Sequence, residues 1–406
     1  MSGSCIGIVA DDLTGGAAIA GEIVRPGKPV PVLRLQPDGR VERHTLIVET
    51  GSRYMPVAQA EQRVMLAVRQ LRQAGFSLLM KKIDSTLKGN VAAELAAFAR
   101  AIGERLVIVP ACPAMKIEVR AGCQWQSGRR GVDVIALVAQ ALGRPPLSLP
   151  LAAVRAGEDA VRAWLGANRG QVIVADAQTQ RDIQQIVNGA RAAGINAFAG
   201  VYGLGSALAG LPGGPDMRPP ARASRLLVLV GSTSSATVAQ VDYLIGHGAA
   251  NIALRVGSLF NTDGEPELSR IRQEIARATA PVLLVHTDAK NTADEVGRFC
   301  RARGWSDRDL AQALATPFAA AVRQLPDAGI FVVGGETTGA LFDLQGWRGM
   351  RVTGEFSATV PIATLPGTGH PFILTKPGAF GAVSVLQDAA VTMLRRIDAV
   401  FPGVSS

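Results

Sequence analysis

Two stretches in the first quarter of the chain gather carboxylates, amines and hydroxyls where an apolar run stops. Ala10-Asp11-Asp12-Leu13-Thr14-Gly15-Gly16 follows the apolar residues 5–10. Two adjacent carboxylates there can hold a cation or take a proton from a substrate hydroxyl. The small residues after them let an anionic ligand approach a helix N-terminus. Asp12 can equally serve only as the cap of that helix. Lys81-Lys82-Ile83-Asp84-Ser85-Thr86-Leu87-Lys88-Gly89-Asn90 repeats the arrangement after residues 78–83. Lys82 and Lys88 can pair with a carboxylate, Ser85 and Thr86 can bond hydroxyls, and Asp84 can act as a base or orient a lysine. The alternative is a solvated turn capped by Ser85 or Asn90. Between the two, Thr50-Gly51-Ser52-Arg53 ends a third apolar run, and arginine grips a carboxylate through two parallel hydrogen bonds.

The second half carries turns rich in glycine and hydroxyls: Gly231-Ser232-Thr233-Ser234-Ser235, Gly334-Gly335-Glu336-Thr337-Thr338-Gly339 and Lys376-Pro377-Gly378-Ala379-Phe380-Gly381. Exposed amides and hydroxyls in such turns bind phosphates. Three in one region point to a nucleotide. No Gly-x-x-x-x-Gly-Lys-Ser/Thr occurs, so the usual P-loop is excluded. The dinucleotide fingerprint and the Gly-x-Ser-x-Gly elbow are missing as well.

These turns need a frame that brings strand ends together. Strands are expected at residues 5–10, 45–48, 78–83, 106–109 and 172–175. Helices are expected from about residue 14, over 58–74 and 91–102, and near 182–193. That alternation predicts a parallel sheet covered by helices on both faces, with ligands at the carboxyl ends of its strands. Residues 117–130 show no clear periodicity and are expected to be loop. Residues 211–223 hold four prolines and two glycines, which neither a helix nor a central strand tolerates, and they read as a linker. A second alternating set follows: strands at 226–230, 252–256, 281–286 and 330–333, short strand pieces over 350–375, and a closing helix from about 383. The fold class is therefore α/β, with two domains over residues 1–212 and 222–406. Each is a mostly parallel sheet flanked by helices, and the active site is expected in the cleft between them.

Composition narrows the classes. The chain has 406 residues, 48% hydrophobic and 18% charged, enough for sizeable cores. A net charge of +9 draws anions such as nucleotides and carboxylates. The charges are scattered rather than arranged in a basic stripe, which argues against nucleic acid. The four cysteines form no CxxC pair and the four histidines are isolated, so no zinc site is expected. No secretory leader and no membrane-spanning run is visible, and a cytoplasmic location is expected.

The quoted motifs, in this order, resemble the four-carbon acid sugar kinases, and the resemblance spans nearly the whole chain. It implies ATP-dependent phosphorylation of threonate, erythronate or 3-oxo-tetronate, with the sugar acid on the N-terminal domain and ATP on the C-terminal one. It assigns Asp12, Arg53, Lys82, Ile83, Asp84 and Ser85 to the sugar acid, with Asp11 and Lys88 beside them. Ser232, Ser234, Gly335, Glu336, Thr337, Thr338 and Gly378 go to the nucleotide. Asp12 or Asp84 would be the base, and Mg2+ would accompany ATP, its ligands unknown. No partner besides sugar acid and ATP is implied, and a homodimer is compatible. There are departures. Lys88 stands where arginine is common and Thr233 where cysteine is. The stretch Lys116-Ile-Glu-Val-Arg-Ala-Gly122 does not match the family pattern, and the glycine usual before Val360-Pro361 is Thr359. These bear on substrate identity more than on reaction type. A non-catalytic metabolite-binding protein, or a related kinase with a shifted substrate, are the competing readings.

Overall fold

The computed structural model describes residues 5–36, 45–211, 222–261 and 264–394. The chain divides into two compact units, Met1–Pro215 and Asp216–Ser406. All of the expected linker except its ends lies outside the described residues.

In the first unit the strands are β1 (Ile6–Ala10), β2 (Val30–Arg34), β3 (Leu46–Glu49), β4 (Leu78–Lys82), β5 (Leu106–Val109), β6 (Ile117–Arg120), β7 (Cys123–Gln126), β8 (Arg129–Asp133), β9 (Leu147–Leu149), β10 (Val172–Ala175) and β11 (Ala197–Gly200). Its main sheet runs in the order β2-β3-β1-β4-β11-β5-β10-β9, parallel at every pairing. Helices Leu13–Ile23, Val57–Gln73 and Val91–Ile102 make the crossovers. Strands in such a sheet are covered on both faces and read as continuous apolar runs. IGIVA, LVIV and VIVA are buried at every position. The helices bury one stripe each; Val64, Ala67, Val68 and Leu71 of Val57–Gln73 join Leu95, Phe98 and Ile108 in one core.

Residues 117–130, expected to be loop, are instead strand. β6, β7 and β8 form a separate antiparallel sheet. Its strands are too short to show a period, and every residue of β8 is exposed, so no apolar alternation marks it. What closes it is backbone chemistry: both carboxylate oxygens of Asp176, just past β10, accept hydrogen bonds from the amides of Ala121 and Gly122, each at 2.9 Å. The sequence reading also passed over β2, β9 and β11.

The second unit contains β12 (Leu226–Val230), β13 (Ala250–Leu254), β14 (Val282–Thr287), β15 (Gly329–Val333), β16 (Gly349–Ser357), β17 (Val360–Thr364) and β18 (Ile373–Lys376). Their order is β13-β14-β12-β15-β18-β17-β16. The first five are parallel, and β17 is antiparallel to both neighbours. Leu226, Val228, Phe331, Phe372 and Leu374 centre its core. β13 ends at Leu254, two residues before the expected end, because Val256 already opens a helix. The closing helix is Val385–Met393. The fold is thus two α/β domains built on mostly parallel sheet. Among the described residues no helix is long and apolar enough to cross a membrane.

Candidate functional site

Parallel register puts the three N-terminal motifs at one sheet edge. Ala10 lies opposite Glu49 on one side and Lys82 on the other, so Asp11, Thr50 and Ile83 all leave the sheet at the same level. The turns are then tied together. The Thr50 amide donates to Ala10 O at 2.9 Å and the Ser52 amide to Asp11 O at 3.0 Å. Asn90 donates through Nδ2 to Ser52 O and Met55 O, at 2.9 and 2.7 Å.

At the centre stands Arg53. Its Nε donates to Asp11 Oδ2 at 2.7 Å and its Nη2 to Asp12 Oδ1 at 2.8 Å, while Nη1 lies 3.5 Å from Asp84 Oδ2. The expected substrate arginine is therefore held by carboxylates of the protein itself. Those carboxylates are not equivalent. Burial pushes the Asp11 carboxyl up, but Arg53, Lys81 and Lys82 outweigh it and hold the group well below the usual carboxylate range. For Asp12 burial prevails: with Asp11 and Asp84 adding repulsion, its proton affinity is raised despite Arg53 and Lys82. The capping reading of Asp12 holds. Its Oδ1 caps helix Leu13–Ile23, accepting from the Gly15 amide at 2.9 Å, and its Oδ2 accepts no hydrogen bond from the described residues.

Asp84 does other work. Its Oδ1 accepts from the Thr86 amide at 2.9 Å, the Thr86 hydroxyl at 2.6 Å and the Lys88 amide at 3.2 Å, shaping the turn. Its ion-pair partner is Arg53, not a lysine, one of the partners open to it from the sequence. Lys82 is buried and donates one proton to Ile83 O, leaving two uncommitted. Ile83 belongs to the core, Ser85 is buried and Lys88 is exposed. Motif reading missed three supporting groups. Lys81 is fully buried in an ion pair with Glu94 at 2.7 Å. Gln124, from the unexpected small sheet, donates to Ser85 O and Pro110 O, both at 3.0 Å. Burial, with Asp12 adding repulsion, pushes Glu49 up to about 7 against the pull of Arg34. A lysine directly before Lys82 was a visible signal; nothing in the sequence marked Gln124.

In the second unit the hydroxyl-rich turns also converge. Ser234 caps helix Ser235–Gly246 by accepting from the Thr237 amide at 3.3 Å. Ser234 Oγ and Thr237 Oγ1 both donate to Gly378 O, at 2.8 and 2.7 Å. Two glycines permit this approach: a Cβ on Gly378 would lie 2.0 Å from Ser232 Oγ, and one on Gly231 would lie 2.0 Å from Thr337 Oγ1. Gly335 and Glu336 open helix Gly335–Gln345. Thr338 is buried and donates its hydroxyl to Gly334 O at 2.7 Å. Beside the cluster opens a cavity of about 210 Å³, lined by Ser232, Thr237, Val241, Asn251, His286 and Asp288. His286 Nε2 meets Asn251 Oδ1 at 2.7 Å, and burial lowers the proton affinity of the imidazole. Neither residue carried a motif. Gly378→Ala forces the loop and Ser232 apart; an overpacking of roughly 1–3 kcal/mol is expected to raise the nucleotide Kd about five- to a hundredfold, measurable by calorimetry. An unchanged Kd would take Gly378 out of the site.

Among the described residues no group of three or more His, Cys, Asp or Glu side chains is placed to hold a metal ion. The glycine cradles and open hydroxyls of the second unit fit phosphates instead.

Models of known families match both units. A sugar-binding N-terminal domain model matches residues 6–129 and 126–210, and a nucleotide-binding C-terminal domain model matches residues 227–386. The D-threonate kinase of Cupriavidus necator is 30% identical, over 94% of this chain and 96% of its own length. That of Bordetella bronchiseptica is also 30% identical, over 98% and 99%. A solved protein of Salmonella typhimurium LT2 superposes with a TM-score of 0.78 at 21% identity, over 95% of this chain and 98% of its own, a likeness of fold.

Proposed function

The chain belongs to the four-carbon acid sugar kinase family, and on that footing we propose that it transfers the terminal phosphoryl group of ATP to the terminal hydroxyl of a four-carbon sugar acid. The threonate, erythronate and 3-oxo-tetronate types are the candidate acceptors. The observation that carries the reading is the Asp12 carboxyl: buried, raised in proton affinity, fixed through Oδ1 and open at Oδ2.

In this reading the sugar acid lies over the ends of β1, β3 and β4. Its carboxylate takes the two uncommitted protons of Lys82 and the positive field of Arg53. Its terminal hydroxyl donates to Asp12 Oδ2. As the hydroxyl oxygen bonds to the terminal phosphorus, its proton passes to Asp12 and the bond from that phosphorus to the departing ADP breaks. Asp11, kept ionised, balances Arg53, and Asp84 holds Arg53 and the 84–88 turn in place. The nucleotide's phosphates lie against Ser232, Ser234, Thr337 and Gly378, and its nucleoside in the cavity by Asn251 and His286. Mg2+, when bound, neutralises charge on the phosphates; with no protein cage among the described residues, the phosphates and water would be its main ligands.

A coupled assay for ADP release against D- and L-threonate, D- and L-erythronate and 3-oxo-tetronates tests the proposal, with one of them expected to be turned over. Release with none of them would favour a non-catalytic binder or a shifted substrate. Excess EDTA is expected to abolish turnover, since charge on the transferring group must be neutralised; full activity in EDTA would remove the metal from the scheme.

A further inference from the structure

Lys376, the last residue of β18, is fully buried, and among the described residues it forms no ion pair. Its Nζ donates instead to three carbonyls of the loop that follows: Pro377 O at 2.7 Å, Phe380 O at 2.8 Å and Gly378 O at 3.4 Å. The neighbouring helix fastens the same loop. Ser234 and Thr237 hold Gly378 O, and Gln240 Nε2 donates to Phe380 O, Gly381 O and Ala382 O at 3.2, 3.1 and 3.1 Å. The carbonyls of residues 377, 378, 380, 381 and 382 are thus all drawn inward. In a trans peptide the next residue's N–H points the opposite way from the carbonyl. The amides of Gly378, Ala379, Gly381, Ala382 and Val383 therefore face outward. None of them donates to an acceptor among the described residues, and Ala379, Gly381, Ala382 and Val383 are exposed. A row of outward amides over a buried amine offers donors to an anion.

We propose that Lys376 is a positioning residue, which folds residues 377–383 into a cradle of amides for the polyphosphate of the nucleotide. The inference rests on the nucleotide reading of this unit. The amine also couples the cradle to protons. Burial pushes Lys376 down to about 7, and no ionisable side chain contributes to that shift. Only the protonated amine has a hydrogen for each of the three carbonyls, and a bound anion favours the charged form. In the free protein the proton leaves as pH rises through about 7; anion binding brings it back.

Calorimetry of ADP binding to the full chain, in two buffers of different ionisation enthalpy, tests this. At about pH 8 the phosphates are already ionised, with a second pKa of about 6, so proton uptake reports the protein. The wild type is expected to take up close to one proton, and its ADP affinity to fall by up to about tenfold per pH unit from 8 to 9. Lys376→Met is expected to lose the uptake and at least about tenfold in ADP affinity while binding adenosine as before. ADP binding without uptake, or a Lys376→Met protein with wild-type ADP affinity, overturns the role of Lys376 and leaves the nucleotide site standing. An equal loss of adenosine affinity assigns Lys376 a general structural part and overturns the proposal too. If Lys376→Met does not fold, the wild-type uptake and pH series decide. A wild type that binds no ADP overturns this inference together with the nucleotide reading.

Discussion

Asp12→Asn is expected to cut turnover by roughly 10²–10⁴-fold while sugar-acid binding is largely kept. The amide preserves the shape and can still accept from Gly15 and Arg53 through its oxygen, so helix Leu13–Ile23 keeps its cap. What it lacks is a lone pair basic enough to take the hydroxyl proton. Because burial raises the wild-type Asp12 carboxyl, the rate should fall on acidification from a pH above the ordinary carboxylate range: the base works deprotonated and is lost as pH drops through its raised pKa. The Asn variant should lose that acid limb along with its activity. Asp84→Asn should behave differently. Its oxygen can keep the bonds to Thr86 and Lys88 but not the charge facing Arg53, so KM for the sugar acid should rise more than kcat falls. Steady-state kinetics on both variants separates the roles; near-normal turnover in Asp12→Asn would hand the base to Asp84.

Arg53→Met should strike stability before chemistry. Asp11, Asp12 and Asp84 all lean on one guanidinium that is 13% exposed. Removing it strands buried negative charge, and breaking a buried ion pair from one side costs about 3–5 kcal/mol. Urea unfolding should show that loss as a lower midpoint for the first unit. The remaining folded protein should bind sugar acid poorly and nucleotide almost normally. Adding Asp11→Asn to Arg53→Met should return part of the stability, because it removes one stranded charge. A midpoint equal to wild type would mean that water, not Arg53, carries these carboxylates.

The strand-end motifs were readable because a doubly covered parallel sheet writes its strands as plain apolar runs. β1, β4, β5 and β10 announced themselves, and whatever polar residues followed them had to lie at one edge. Asp12, Arg53 and the 82–85 turn do meet there. The sequence could not say that Arg53 is spent on three carboxylates, because that depends on the side-by-side order of β3, β1 and β4. Nor could it show Gln124 reaching Ser85, since strands of four residues with one exposed face leave no periodic trace. Lys376 hid for a further reason. Its partners are all backbone carbonyls, and a residue that organises main chain has no complementary side chain to give it away.

The small antiparallel sheet has a consequence for how such a protein can diverge. It is anchored from within, by Asp176 on its first turn and by Gln124 on the 85 and 110 carbonyls. Its outer strand β8 is exposed along its whole length. Surface substitutions away from anchors generally stay within about 0.5 kcal/mol of neutral, so β8, apart from Arg130, which donates to Cys123, and Asp133, which caps helix Val134–Leu142, can drift under little selection for folding. The strand is at the same time joined, through β7 and Gln124, to the turn that carries Ser85. A lineage can thus sample new side chains within two strands of the Ser85 turn without endangering the sheet beneath, a place for change to begin.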